Sequence, residues 1–370
     1  VVTTSPDNTI GLAFGDPGTE MPYSVSIPIT RRTVMSRRLR EGASRSLSAM
    51  RSSRGMPPRT ALLTRLVDTV RRPPIEEMTR ADIVAARAGL IPAKPPWTWL
   101  TGSVSPRVAI SSGSAQARDG HLIGLRIYRP EGAGTAGPVV MWFHGGGWVL
   151  GNVVNYDPIC ADLAEGTGAV VVSVDYRLAP DFVAPTAVHD CVDATEWVEQ
   201  EGESQGWDGS RIGVTGDSAG GNLAAVVAQV LRDRGDSPIR VQGLIYPATD
   251  MTMSSPSITE HANGGILTRK GMEAFREHYC PPGTDLRDPL ISPLFGRLDG
   301  LPPALVQTAD LDPIRDDGIR YAAALAEAGV PTSATNFDGV PHGFVSIPGA
   351  SRHGRTQRED MVDFLRRHLA

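Results

Sequence analysis

Lysine is almost missing from this 370-residue chain: of 36 basic residues only Lys94 and Lys270 are lysines, and the rest are arginine. That bias reads as genome composition, not function. The formal net charge of -5 gives no electrostatic reason to expect a nucleic-acid partner. Cysteine is scarce too. Cys160, Cys191 and Cys280 stand far apart with no C-x-x-C spacing, so neither a zinc site nor a disulfide framework is indicated, and all three read as buried or neutral thiols. Long hydrophobic runs are absent. The longest near a strand, "PVVMWF", falls far short of the roughly 18 residues that span a bilayer. The opening "VVTTSPDNTI" has neither a basic n-region nor an apolar h-region. The chain is therefore expected to carry no integral membrane segment and to be cytoplasmic.

What is present is ordinary for a globular protein, with 41% hydrophobic and 21% charged residues, and the length suits one large core with appendages. Between Arg31 and Arg54 lie eight arginines, with Glu41 the only acid, a composition that cannot bury a core. Residues 1–56 read as a disordered, solvated tail, with a membrane or partner patch as the alternative. Residues 57–104 hold two short helical patterns, "RTALLTRLVDTVRR" and "TRADIVAARAGL", each closed by a proline-rich stretch. They are assigned to the N-terminal part of a helical cap.

From residue 105 to 370 the pattern is α/β. Strands are expected at 107–112, 122–129, 139–143, 169–174, 211–215, 241–246, 304–309 and 332–337, with helices at 185–201, 218–234 and 313–329. Short β-branched strands alternating with helices mean a mostly parallel central sheet of about eight strands flanked by helices; the first three strands, linked by Gly-rich turns, suit an antiparallel start. Residues 250–298 interrupt the alternation, and a long insertion at a strand end usually covers a site, so they too are assigned to the cap. "GAGTAG" (132–137) matches the dinucleotide fingerprint, but it opens a strand where that motif must open a helix, and it reads as a surface turn.

The chemistry gathers at "GDSAGG" (216–221), which stands between a strand pattern and a helix pattern. A strained turn there would present the Ser218 hydroxyl above the sheet; a plain helix N-cap would explain the same serine. A serine needs a base, and His342 in "GVPHGF", the turn after the last strand, is the best placed of eight histidines. His144 reads as a brace for its loop; the other six read as structural or exposed. An imidazole in turn needs a carboxylate. "TADLDPIRDDG" offers Asp310, Asp312, Asp316 and Asp317, of which Asp312 stands in the loop before Pro313, where it could also be an N-cap. Pro313 and Tyr321 argue against a calcium loop here. The order Ser218, Asp312, His342 is that of α/β-hydrolases. "WFHGGGW" (142–148) follows the third core strand, and its glycines let backbone N–H groups converge on an oxyanion. Gly145 and Gly146, with Ala219, are the expected donors. Asp217 is expected to order this loop, not to react.

"HGGGWVLG", "VDYRLAP", "GDSAGGNLA", "SPL", "LPPALVQTADLDPIRDDG", "YAAALAEAGV" and "PHGF", in that order, resemble the hormone-sensitive lipase family of α/β-hydrolases, the bacterial esterases with an HGGG motif, from roughly residue 75 onward. The resemblance implies an α/β-hydrolase fold with a cap over the active site, hydrolysis of short to medium acyl esters through a Ser-His-Asp acyl-enzyme, a small-molecule ester as partner, and no metal or cofactor. The same machinery cleaves arylacetamides or formamides in some relatives. A binding protein on this fold, like the gibberellin receptors, would lack the histidine that His342 supplies. Where the family has Glu-His after "DYRLAP", this chain has Asp181 and Phe182; if Asp181 pairs with Arg177 as the longer Glu would, its shorter reach weakens a structural contact, not the chemistry. Edge strands and cap helices leave room for a homodimer.

Overall fold

A computed structural model describes residues 73–370 apart from Thr135, together with the backbones of three short antiparallel strands, Val2–Thr4, Thr9–Leu12 and Ser26–Pro28. The Arg-rich stretch and the first expected cap helix lie outside the described residues.

Eight strands form one sheet: β1 (Val108–Gln116), β2 (Leu122–Pro130), β3 (Gly137–Phe143), β4 (Val170–Asp175), β5 (Trp207–Asp217), β6 (Ile239–Ile245), β7 (Ala304–Leu311) and β8 (Thr332–Pro341). Their spatial order is β8-β7-β6-β5-β3-β4-β2-β1. β1 and β2 pair antiparallel, and β2 pairs antiparallel with β4, while all other neighbours are parallel. The antiparallel start is as expected, but β3 does not follow β2 in space. It sits between β4 and β5.

Burial explains the strand compositions. β3 and β4 lie inside the sheet and are covered on both faces, so "VVMWF" and "VVVSV" can be buried without alternation. β1, at the edge, alternates small and polar residues with few buried ones. Val139, Met141 and Phe143 point into a core shared with α3 (Thr186–Gln200), α4 (Ala219–Arg234) and α6 (Arg315–Glu327). Val140 and Trp142 point the other way, toward α2 (Asp157–Thr167) and α7 (Arg352–Leu369). A fully buried Phe143 contributes about 1.5–3 kcal/mol by this burial.

Two excursions lie beyond the sheet. α1 (Arg80–Ala88) starts in a Thr79–Asp82 capping box, which satisfies its first free N–H groups. The connection between β6 and β7 carries α5 (Arg269–Tyr279), whose Thr268 cap accepts from the Gly271 N–H. Arg87 of α1 anchors on the carbonyls of Val149 and Ala179 and on Asp181. Asp181 therefore does not pair with Arg177. Arg177 is taken by Asp190 and Asp119, and the shorter aspartate is reached from α1 by Arg87 and Arg80.

Candidate active site

Strand register assembles the site. Phe143 of β3 pairs with Gly216 of β5, so the loop after β3 and the turn after β5 leave the sheet side by side. Leu311 of β7 pairs with Pro341 of β8, so Asp312 and His342 emerge together. Glycine permits the first approach: a Cβ on Gly220 would stand 1.9 Å from the Phe143 carbonyl oxygen.

Ser218 occupies a sharp turn with φ 58 and ψ -118, a conformation that costs a non-glycine residue about 1–3 kcal/mol. It stands at the N-cap position of α4, yet its side chain makes no capping hydrogen bond. Its Oγ lies 2.9 Å from His342 Nε2 instead, so the hydroxyl is not spent on the helix end. The backbone is fixed by the Ser218 N–H donating to the Ile245 carbonyl and by the Asn222 N–H donating to the Ser218 carbonyl.

His342 Nδ1 is 2.6 Å from Asp312 Oδ2, and both side chains are buried. With Nδ1–H donating to the carboxylate, Nε2 is left to accept the Ser218 hydroxyl. Asp312 fills both of the roles open to it. Its Oδ1 accepts from the Ile314 N–H at 3.0 Å, holding the turn into α6, while Oδ2 holds the imidazole. Such a series can remove a proton from the serine and stabilise the imidazolium that results.

The glycine loop differs from expectation at one position. The Gly145 N–H already donates to Asp217 Oδ1 at 2.8 Å and lies 3.1 Å from the Tyr156 hydroxyl, so it has no capacity left for an oxyanion. Gly146 (φ 125) and Gly147 (φ 62) follow in backbone conformations that favour glycine. Among the described residues no acceptor is recorded for either amide. Ala219, at the first position of α4, has no intrahelical partner for its N–H. The third glycine was visible in the sequence. The side chain that occupies the first glycine's amide was not visible as its acceptor.

His144 is fully buried, stacked on Tyr176 at 4.4 Å, with Nδ1 2.8 Å from the Gly145 carbonyl. Burial lowers its pKa, so it braces the loop as a neutral ring. Trp148, inside the glycine motif, borders this region, as do Tyr156, Tyr246 and Phe275, which no motif marked. Tyr246 lays its ring 4.5 Å from that of His342. Phe275 of α5 lies against Gly147, where a Cβ would meet its ring at 2.3 Å. Asp310 accepts from the Gly339 N–H, and Asp316 and Asp317 lie buried in α6, bonded to Ser257 and Ser255. The three cysteines are free and buried. Among the described residues no helix is long and apolar enough to cross a membrane.

Comparison with known proteins agrees with this architecture. Residues 140–346 match a family described by the α/β hydrolase fold. Esterase LipI of Mycobacterium tuberculosis is 46% identical over 232 residues, 61% of this chain and 72% of that protein. An ethyl acetate hydrolase of Pseudomonas putida is 35% identical over 274 residues, 73% of this chain and 86% of that protein. The crystal structure of a thermostable esterase from Pseudomonas putida superposes with a TM-score of 0.76 at 33% identity, covering 85% of this chain and 98% of that one. Fold and site define an α/β-hydrolase, an enzyme of the hydrolase class. Within that class, the chain belongs to the hormone-sensitive lipase family.

Proposed function

We propose that the protein is a serine carboxylesterase acting on small esters with short to medium acyl chains. Ser218 attacks the ester carbonyl as His342 takes its proton, and Asp312 orients the imidazole and stabilises its charge. The N–H groups of Gly146, Gly147 and Ala219 hold the oxyanion. The alcohol leaves with the proton from His342, and a water molecule, activated by the same ring, then releases the acid. The observation that carries this reading is the continuous series from Asp312 to His342 at 2.6 Å and on to Ser218 at 2.9 Å, with the serine in a strained turn. The names of the relatives, esterases and an ethyl acetate hydrolase, favour esters over amides.

The test is incubation with a fluorophosphonate, followed by mapping of the adduct and by turnover of p-nitrophenyl acetate and butyrate. Label on Ser218, and turnover lost in Ser218→Ala, are the expected results. Label elsewhere, or turnover that survives the substitution, overturns the assignment. An acyl-length series run beside one anilide reads the substrate class: preference for long chains or for the anilide overturns the short-ester reading.

A further inference from the structure

Large apolar side chains stand exposed in one part of the molecule. Among the described residues they all fall between Val84 and Phe182, and five of them, Val84, Leu90, Ile91, Trp99 and Val104, belong to the excursion before β1. Trp99 is 72% exposed and Leu90 62%. A single exposed apolar side chain is ordinary, whereas a group of them marks a surface that meets another body. The chain holds this group together. The Ile91 N–H donates to Asn155 Oδ1 at 2.9 Å, and Gly102 lies against Pro158, three positions further on, so residues 92–101 leave and rejoin the molecule at neighbouring points. Val154, exposed as well, stands at the foot of this loop. The side-chain amides of Asn152 and Asn155 both hold the Gly89 carbonyl, and the Gly349 N–H donates to the Leu100 carbonyl on the far side.

The backbone of the loop suits an apolar medium. Pro92, Pro95 and Pro96 have no N–H, and the N–H groups of Ile91, Trp97, Thr98 and Trp99 already donate within the chain, so few amides would lose water there. The charge has one sign. No acid occurs from Ile83 to Arg118, a stretch that holds Arg87, Lys94, Arg107 and Arg118. Lys94 stands exposed at the tip, and among the described residues no carboxylate pairs with it. The acids of the supporting helix α2 are taken, Asp157 by Arg126 and Asp162 by Arg358. Upstream in the sequence, residues 31–72 carry twelve arginines against Glu41 and Asp68. Indole, aliphatic side chains and an unpaired ammonium group on one acid-free loop match, in order, the interface, the acyl boundary and the phosphates of an anionic bilayer.

We infer that residues 84–104 dock the protein on an anionic lipid surface, with Leu90, Ile91 and Trp99 entering the boundary between headgroups and acyl chains and Lys94 meeting the phosphates. The docking surface is carried by residues 149–158, the stretch that follows the glycine loop, because Arg87 also holds the Val149 carbonyl. The inference goes beyond the esterase reading and does not rest on it.

The test is flotation of the full chain with vesicles of phosphatidylcholine alone and of phosphatidylcholine mixed with phosphatidylglycerol, together with quenching of tryptophan fluorescence by brominated acyl chains. The chain is expected to float with the anionic vesicles and to be quenched there. Leu90→Ser and Trp99→Ser should each weaken partitioning about tenfold, the loss of one apolar side chain from the interface. Lys94→Glu should weaken it about 10- to 30-fold on the anionic vesicles. All three side chains are exposed and lie outside the site, so circular dichroism and the rate on water-soluble p-nitrophenyl acetate should match the wild type. Binding that all three variants retain belongs to the arginines upstream and overturns the inference. A full chain that floats with neither vesicle, or equally with both, overturns it as well. So does a Leu90→Ser or Trp99→Ser variant that changes oligomeric state in gel filtration and not flotation, which assigns the surface to a second copy. Flotation lost in the variants, from a wild type that cleaves no ester, supports this inference and overturns the esterase reading.

Discussion

Replacing Gly147 with alanine tests whether its amide belongs to the oxyanion cradle. The new methyl would stand 2.3 Å from Phe275 Cδ1, 2.4 Å from Cγ and 2.8 Å from Cε1. Non-bonded carbons settle at about 3.5–4.0 Å, so the overlap is about 1 Å and either the ring or the amide must move. The backbone adds to this, since φ 62 costs an alanine about 1–2 kcal/mol. A displacement of about 1 Å near a reacting centre costs roughly 100-fold, or about 2.7 kcal/mol of transition-state stabilisation. The expected result is a kcat about 100-fold lower with KM little changed, measured on p-nitrophenyl butyrate and normalised to fluorophosphonate-labelled sites. Adding Phe275→Ala makes room for the methyl and should restore about tenfold, leaving the backbone cost. A Gly147→Ala enzyme with wild-type kcat refutes the placement of this amide in the cradle.

Asp312→Asn should lower kcat by about 10³- to 10⁴-fold through the wrong imidazole tautomer, while thermal unfolding changes little because the amide oxygen can still accept from Ile314. Arg87→Ala removes donors from the Val149 and Ala179 carbonyls and leaves Asp181 to Arg80 alone; circular dichroism should show a loss of about 2 kcal/mol and a Tm lower by roughly 3 °C. Asp317 gives a stability prediction with a definite sign. Burial raises its carboxyl to about 7 from an ordinary value of 3.8, so the folded chain holds this proton more tightly than the unfolded one. The stability this group contributes is full below the unfolded value and is lost as pH rises toward the folded one. Urea melts from about pH 4 to 7 should therefore move in favour of Asp317→Asn relative to wild type, and a difference that is flat across this window refutes the account.

Much of this enzyme was legible in residue order. The eight strands appear where short β-branched runs placed them, because strand preference and burial on two faces are written locally. "GDSAGG" between a strand and a helix was enough to raise Ser218, and the loops after the last two strands were enough to raise Asp312 and His342. What sequence left open at Ser218 was a choice between N-cap and nucleophile. The structure turns the hydroxyl away from the helix end and toward His342, 124 positions away, a contact that no local pattern encodes.

The remaining differences share that cause. β3 inserts between β4 and β5 because a parallel strand pairs through a crossover, so its neighbour in space need not be its neighbour in the chain. Asp181 meets Arg87 instead of Arg177 because α1 returns across the molecule to reach it. Gly145 looked like the first oxyanion donor, and only the packing of β5 beside β3 brings Asp217 close enough to take its amide. The sequence by itself determined which residues could do the chemistry, since nucleophile, base, acid and glycine donors are properties of residue type and local turn. Tertiary structure alone decided which of them meet, because hydrogen bonds saturate: an amide already given to a carboxylate cannot also hold an oxyanion.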